Sequence, residues 1–246
     1  MAGRGPTRVT FLGHATFAFA TPEGRRVVVD PWTFSNPLCP PELRDVGEVD
    51  LVLVTHGHHD HIGDLFTVVR RGRPRVVAVA ELGNWMVRRG VRRVRTMNVG
   101  GVLDVDGVEV TMTAAAHSSS LDHEPEVNVG VAAGFVLGFS DGCRVYHAGD
   151  TAAFASMQLI GEVHRPDVAL LPMGDHHTMG TDEAAVAARL LGAPRVVPMH
   201  YGTAPGSRDV PERFRAALDR RRVASEVLAW RPGRTASWDA RAGTFR

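Results

Sequence analysis

Residues 55–64, THGHHDHIGD, decide the reading of this chain, and they follow directly on the apolar run LVLVT at 51–55. A continuous run of this kind reads as a strand covered on both faces, here delivering its end into a histidine-rich loop. Within that loop His56, His58, Asp60 and His61 form the pattern H-x-H-x-D-H. With 12 His in 246 residues, three histidines and one aspartate meet this spacing by chance at a rate of ~0.002 per chain. Alternation along an extended segment puts His56 and His58 on one side, and the turn that follows sends Asp60 and His61 to the other. One short loop can thus offer imidazoles to one metal and a mixed nitrogen and oxygen set to a second. Such ligands suit zinc, manganese or iron. The competing reading is a set of histidines that cap the loop or sit satisfied in the core. His59 points away from its neighbours and receives no role.

Working outward, Arg8–Leu12, Thr16–Ala20 and Val27–Asp30 read as successive strands, and Val76–Ala80 as another. Val102–Val105 and Val108–Thr113 flank Asp106-Gly107, a hairpin signal; Gly134–Phe139 and Arg144–His147 flank a second, Asp141-Gly142. Val168–Leu171 and Val196–Met199 are further strands. Helical patterns cover Glu81–Arg89, Ala152–Val163, Asp182–Leu191 and Pro211–Arg222, with Thr181 as N-cap and Gly192 as C-cap of the third. No linker or repeat interrupts the chain. The expectation is one α/β domain over residues 1–246, a four-layer αββα sandwich of two mixed sheets with helices outside.

A metal needs more ligands than one loop supplies, and three stand where other strands end. His117 follows Thr111–Ala116, Asp150 follows Tyr146–Gly149, and His200 follows the last buried strand. A carboxylate such as Asp150 can bridge two ions, as a neutral imidazole cannot. Taken singly, each of the three reads equally well as a satisfied core residue. Asp30, at the end of VVVD, either accepts a hydrogen bond from a ligand imidazole and fixes its tautomer or forms a turn with Pro31. His14 lies in a turn between strands, facing the substrate or packed on the hairpin. His176 and His177 sit in a loop, where they bind an anionic substrate or are merely exposed. His147 is assigned a supporting or structural place.

The segments LGHATF (12–17), VVDPW (28–32), THGHHDHIGD (55–64), HSSS (117–120), YHAGDT (146–151), LLPMGD (170–175), TMG (178–180) and PMHYGT (198–203) occur in one order along nearly the whole chain. In these the chain resembles the metallo-β-lactamase superfamily, and within it the bacterial metal-dependent hydrolases related to L-ascorbate-6-phosphate lactonases. The resemblance implies the αββα fold and a two-metal site at the sheet rim. It implies that His56, His58 and His117 hold the first ion, that Asp60, His61 and His200 hold the second, and that Asp150 bridges them. It also implies a metal-dependent hydrolase. On that reading two divalent ions, zinc foremost with manganese or iron as alternatives, would lower the pKa of a shared water toward ~7, and the resulting hydroxide would attack a small ester, lactone or phosphoester. Asp60 takes a catalytic role in guiding that hydroxide or its proton. The alternatives are a phosphodiesterase or nuclease of the same superfamily, and a metal-binding protein without turnover.

Composition agrees. All 28 basic residues are arginine, against 27 acidic ones, for a formal net charge of +1. Without lysine, Schiff-base and phosphate-loop lysine chemistry is excluded. The balanced charge argues against nucleic acid as a partner, and the arginine clusters read as solvated faces. Cys39 and Cys143 suggest neither a disulfide framework nor a thiolate metal site. With no apolar span or signal-like N-terminus, the expectation is a cytoplasmic protein, off the membrane, acting on a small-molecule substrate. A homo-oligomer is left open.

Overall fold

β-branched runs make the strands of this protein, and glycine or aspartate turns join many of them. The computed structural model describes residues 5–203 and 209–246. Its strands are β1 (Arg8–Gly13), β2 (Thr16–Ala20), β3 (Arg26–Val29), β4 (Leu51–Leu53), β5 (Arg75–Val79), β6 (Val94–Met97), β7 (Val102–Val105), β8 (Val108–Ala114), β9 (Ser120–Leu121), β10 (Glu124–Asn128), β11 (Ala133–Gly138), β12 (Arg144–His147), β13 (Val168–Pro172), β14 (Arg195–Met199), β15 (Glu226–Val227), β16 (Thr235–Asp239) and β17 (Thr244–Phe245). The helices are α1 (His59–Ile62), α2 (Leu65–Gly72), α3 (Ala80–Arg88), α4 (Met157–His164), α5 (Thr181–Leu191) and α6 (Val210–Arg221).

Of the two large sheets one runs β17-β16-β1-β2-β3-β4-β5-β6 and the other β15-β14-β13-β12-β11-β8-β7, with β9 and β10 paired apart from them. Both large sheets are mixed. β3 to β6 are parallel, as are β12 to β15, while antiparallel pairs complete each sheet. Period-two alternation divides the second sheet between two cores. Val168 and Leu170 of β13 join the apolar cluster shared with the first sheet, whereas Ala169 and Leu171 join the cluster shared with α4, α5 and α6. Helices α2 and α3 contribute Leu65, Leu82 and Met86 to the first cluster. The architecture is the expected αββα sandwich.

Local departures from the expected elements have identifiable causes. Helix α4 starts at Met157 rather than Ala152. Residues 151–152 are held instead by the His117 segment: the Ala152 amide donates to the Ala116 carbonyl, and the Ala116 amide to Thr151 Oγ1 (3.1 and 2.9 Å). Thr181 is not the N-cap of α5; Gly180 is, and Thr181 is the first helical residue, with its side chain buried. Asp106 and Gly107 both have positive φ, as a two-residue hairpin turn requires. At the second hairpin only Gly142 does, and the loop widens to three residues closed by Phe139 and Cys143.

Candidate metal centre

The parallel strands of both sheets end on one rim, the place where open α/β sheets bind ligands. From the first sheet, β3 leads into Asp30 and β4 into Thr55 and His56. From the second, β8 leads toward His117, β12 toward Asp150 and β14 into His200. Two backbone bonds pin the sheets together there. The Ala133 amide donates to the Thr55 carbonyl (3.0 Å), and the His200 amide to the His14 carbonyl (2.8 Å). His14, Asp30 and His200 all adopt positive φ. Non-glycine residues held this way store about 1–3 kcal/mol of strain each, typically at functional sites.

The loop remains extended through His58, which caps the single turn α1; that turn then swings Asp60 and His61 to a different side. Two groups with ligand atoms mutually within 4.8 Å are His56, His58 and His117, and His14, Asp60, His61 and His200; a third, His56, His61 and Asp150, links them. Asp150 lies between them. Its Oδ2 is 4.0 Å from His56 Nε2, 3.7 Å from His117 Nε2, 3.3 Å from His61 Nε2 and 2.9 Å from His200 Nε2. Among the described residues, His61 Nε2, His200 Nε2 and Asp150 Oδ1 are buried without a well-formed hydrogen bond. Buried polar atoms are seldom left this way, and a converging set of nitrogen and oxygen lone pairs fits a divalent cation.

A second set of contacts orients these groups. Asp30 is fully buried and accepts from the Thr55 amide (2.8 Å), the Thr55 hydroxyl (2.7 Å) and His61 Nδ1 (2.8 Å). Thr55 gives its one hydroxyl proton to Asp30, so at Oγ1 it accepts from His56 Nδ1 (3.0 Å). Both bonds direct the imidazole Nε2 atoms inward, the usual effect of a partner on the other ring nitrogen. His14 Nε2 lies 2.9 Å from Asp60 Oδ2, and its ring packs at 3.8 Å on that of His200.

The electrostatics follow from burial and from the two carboxylates. Burial opposes charge on His61, but Asp150 and Asp30 outweigh it and hold the ring well above its ordinary value. The same contest leaves His200 pushed up to about 9, through Asp150 and Asp60. Burial, reinforced by neighbouring imidazoles, pushes His56 well down and His14 down to about 4. Asp60 and Asp150 resist their own burial because of the histidines around them, and both are held well below the usual carboxylate range.

The beta-lactamase superfamily domain family matches residues 25–201. A UPF0173 metal-dependent hydrolase of Rubrobacter xylanophilus is 46% identical over 231 residues, spanning 93% of this chain and 96% of its own. This chain belongs to the UPF0173 metal-dependent hydrolases of the metallo-β-lactamase superfamily. A member from Methanoculleus marisnigri is 48% identical over 214 residues, 87% of this chain and 89% of that protein. Igni18, a metallo hydrolase from the archaeon Ignicoccus hospitalis, has the same fold with a TM-score of 0.83 at 36% identity, covering 95% of this chain and 98% of that one. The protein is therefore a metal-dependent hydrolase. No helix among the described residues is long and apolar enough to cross a membrane.

Within this family frame, the structure brings His56, His58, Asp60, His61, His117, Asp150 and His200 together, with Asp30 and His14 against them. It does not bring His176 there: that residue is exposed and stacks edge-on with His177, ring centroids 4.5 Å apart. His147 is buried. It accepts from the Gly149 amide at Nδ1 and donates from Nε2 to the Ala15 carbonyl (2.8 Å), so both ring nitrogens are used by the fold. Sequence reasoning missed Thr55, whose threonine-before-histidine position carries no chemical signal. It also missed the His14–Asp60 bond, which spans 46 residues.

Proposed function

We propose that this hydrolase works with two divalent ions, zinc foremost, and cleaves a small ester, lactone or phosphoester with lactonase-like specificity. The observation that carries the reading is Asp150 Oδ2, which faces Nε2 atoms of both histidine groups within 4.0 Å. His56, His58 and His117 would hold one ion; Asp60, His61 and His200 the other; Asp150 would serve both. Bound there, the ions supply a water acidic enough to react at neutral pH and polarise the substrate oxygen that becomes anionic.

The chain does the rest. Asp30 holds the His61 ring in one tautomer, and Thr55 does the same for His56. Asp60 is only part-buried, with a side-chain exposure of 32%, so its carboxylate stands at the open edge where a substrate enters. Held ionised by the histidines around it, it can accept a hydrogen bond from the attacking water and orient it. His14, kept neutral by burial, donates to Asp60 Oδ2 and fixes which oxygen faces the reaction.

Metal analysis joined to assays on aryl esters, lactones and a bis-aryl phosphodiester tests the proposal. The expected result is two equivalents of metal with ester or lactone turnover, and loss of metal from both positions in Asp150→Ala. Less than one equivalent in the wild type, or two retained in Asp150→Ala, contradicts it. Turnover of the phosphodiester alone makes the protein a phosphodiesterase instead.

A further inference from the structure

We propose that His59 and the cavity beside it form the subsite for a neutral, apolar acyl or alkyl group of the substrate, an inference that rests on the ester and lactone reading above. His59 stands between His58 and Asp60. These three residues are half-buried, whereas His56, Gly57 and His61 around them are buried. They are therefore the edge of the metal-binding loop that a substrate can reach. Beyond this edge, Gly57, His59 and Ile62 form one wall of a cavity of about 270 Å³. Phe66 of α2, Trp85 of α3 and Leu121 of β9 line it as well. At ~30 Å³ per non-hydrogen atom the space takes roughly nine atoms, enough for a phenyl ring or a short alkyl chain.

The charges on the lining define the ligand chemistry. Arg89 lies over the Trp85 ring, 4.5 Å from its centroid, and is ion-paired with Glu124 of β10. Asp122 accepts the His59 backbone N–H at 2.8 Å. Arg89 and Glu124 thus offset each other's charge and Asp122 already accepts a backbone N–H, so a charged ligand competes with these contacts and gains little. An uncharged group loses nothing of the kind and gains contact with the side chains of Ile62, Phe66, Trp85 and Leu121. The same loop carries Asp60 at the reacting centre and the adjacent His59 at this cavity, so the subsite lies one residue along the chain from that centre. His59 and its neighbours act here by positioning.

The test uses the metal-loaded full chain and p-nitrophenyl esters from acetate to octanoate. The expected result is a kcat/KM that rises roughly fourfold per methylene until the cavity is filled. Phe66→Trp, which fills the space, lowers the hexanoate-to-acetate ratio by ~tenfold, and Phe66→Ala moves the optimum to longer chains. Opposite shifts of this kind are not the signature of a misfolded variant. Calorimetric binding of hexanoate against acetate reads the same cavity without turnover. Hexanoate preference that Phe66→Trp removes, with no ester cleaved, upholds the subsite while overturning the ester reading. A flat chain-length profile in both rates and binding, or a profile that neither Phe66 variant alters, overturns the subsite.

Discussion

Asp30 shows how a single buried carboxylate prepares the centre. It takes three hydrogen bonds, from Thr55 twice and from His61 once, in a backbone conformation with φ of 52°. His61 is thereby held between Asp30 and Asp150, and His200 against Asp150. Both rings are raised, His200 to about 9, so at neutral pH the metal-free protein carries protons that an incoming cation must displace. The sign is definite. For His200 the proton contributes stability fully below the ordinary value near ~6.5 and loses it as pH rises through about 9. Metal affinity gains over that same interval. Calorimetric titrations between pH ~6 and ~8 should therefore show tighter binding at higher pH, by up to ~tenfold per unit for each proton displaced, with protons released into the buffer. An affinity that stays flat over this range would contradict the arrangement.

Among the elements, the loops after β4 and β12 pass so close that only glycine serves at certain positions. Gly149, in the turn before Asp150, has a φ of 62°, and a Cβ there would lie 2.5 Å from the Ala133 carbonyl oxygen and 3.0 Å from Thr55 Cβ. The first obstacle is backbone and cannot swing aside. Ala133 also donates the amide that pins β11 to Thr55, so displacement here disturbs both the bridging carboxylate and the partner of His56. Gly149→Ala should cost about 1–3 kcal/mol as an overpacked site and reduce bound metal as well. Urea unfolding with metal analysis checks this. Wild-type stability together with full metal content would rule out the close approach. Gly57 is confined by the Val129 side chain, 2.5 Å to Cγ2, and by the Ser120 carbonyl oxygen at 3.0 Å.

At the scale of the whole molecule, the candidate ligands come from both sheets: His56, His58, Asp60 and His61 from the loop after β4, and His117, Asp150 and His200 from the loops after β8, β12 and β14. Bound ions would cross-link the sandwich at its rim, where the protein itself supplies the two backbone bonds of Thr55 and His14. Removing metal with a chelator should lower stability by ~2.7 kcal/mol for each ion lost, relative to protein at a hundredfold excess over Kd. For a chain of this length that is a fall in Tm of roughly 5–10 °C. Differential scanning calorimetry with and without chelator measures it, and an unchanged Tm would show that no ion binds the folded state preferentially.

The sequence by itself determined the alternation of strands and helices, the two-sided burial of LVLVT and the H-x-H-x-D-H loop. All of these are local: side-chain period and residue spacing act within a few positions along the chain. Local reading also placed Asp30 at the end of its strand, though not the ring it would accept from. Tertiary structure alone decided the rest. It set Asp150 among four imidazoles drawn from three other loops, joined His14 to Asp60, made Thr55 the link between Asp30 and His56, and left His176 outside. It also turned His59, which alternation along the loop left without a role, toward a cavity built by α2, α3 and β9. The physical reason is that most of these contacts join residues tens of positions apart. Their geometry depends on how two twisted sheets and their helices pack, and no sequence period records that.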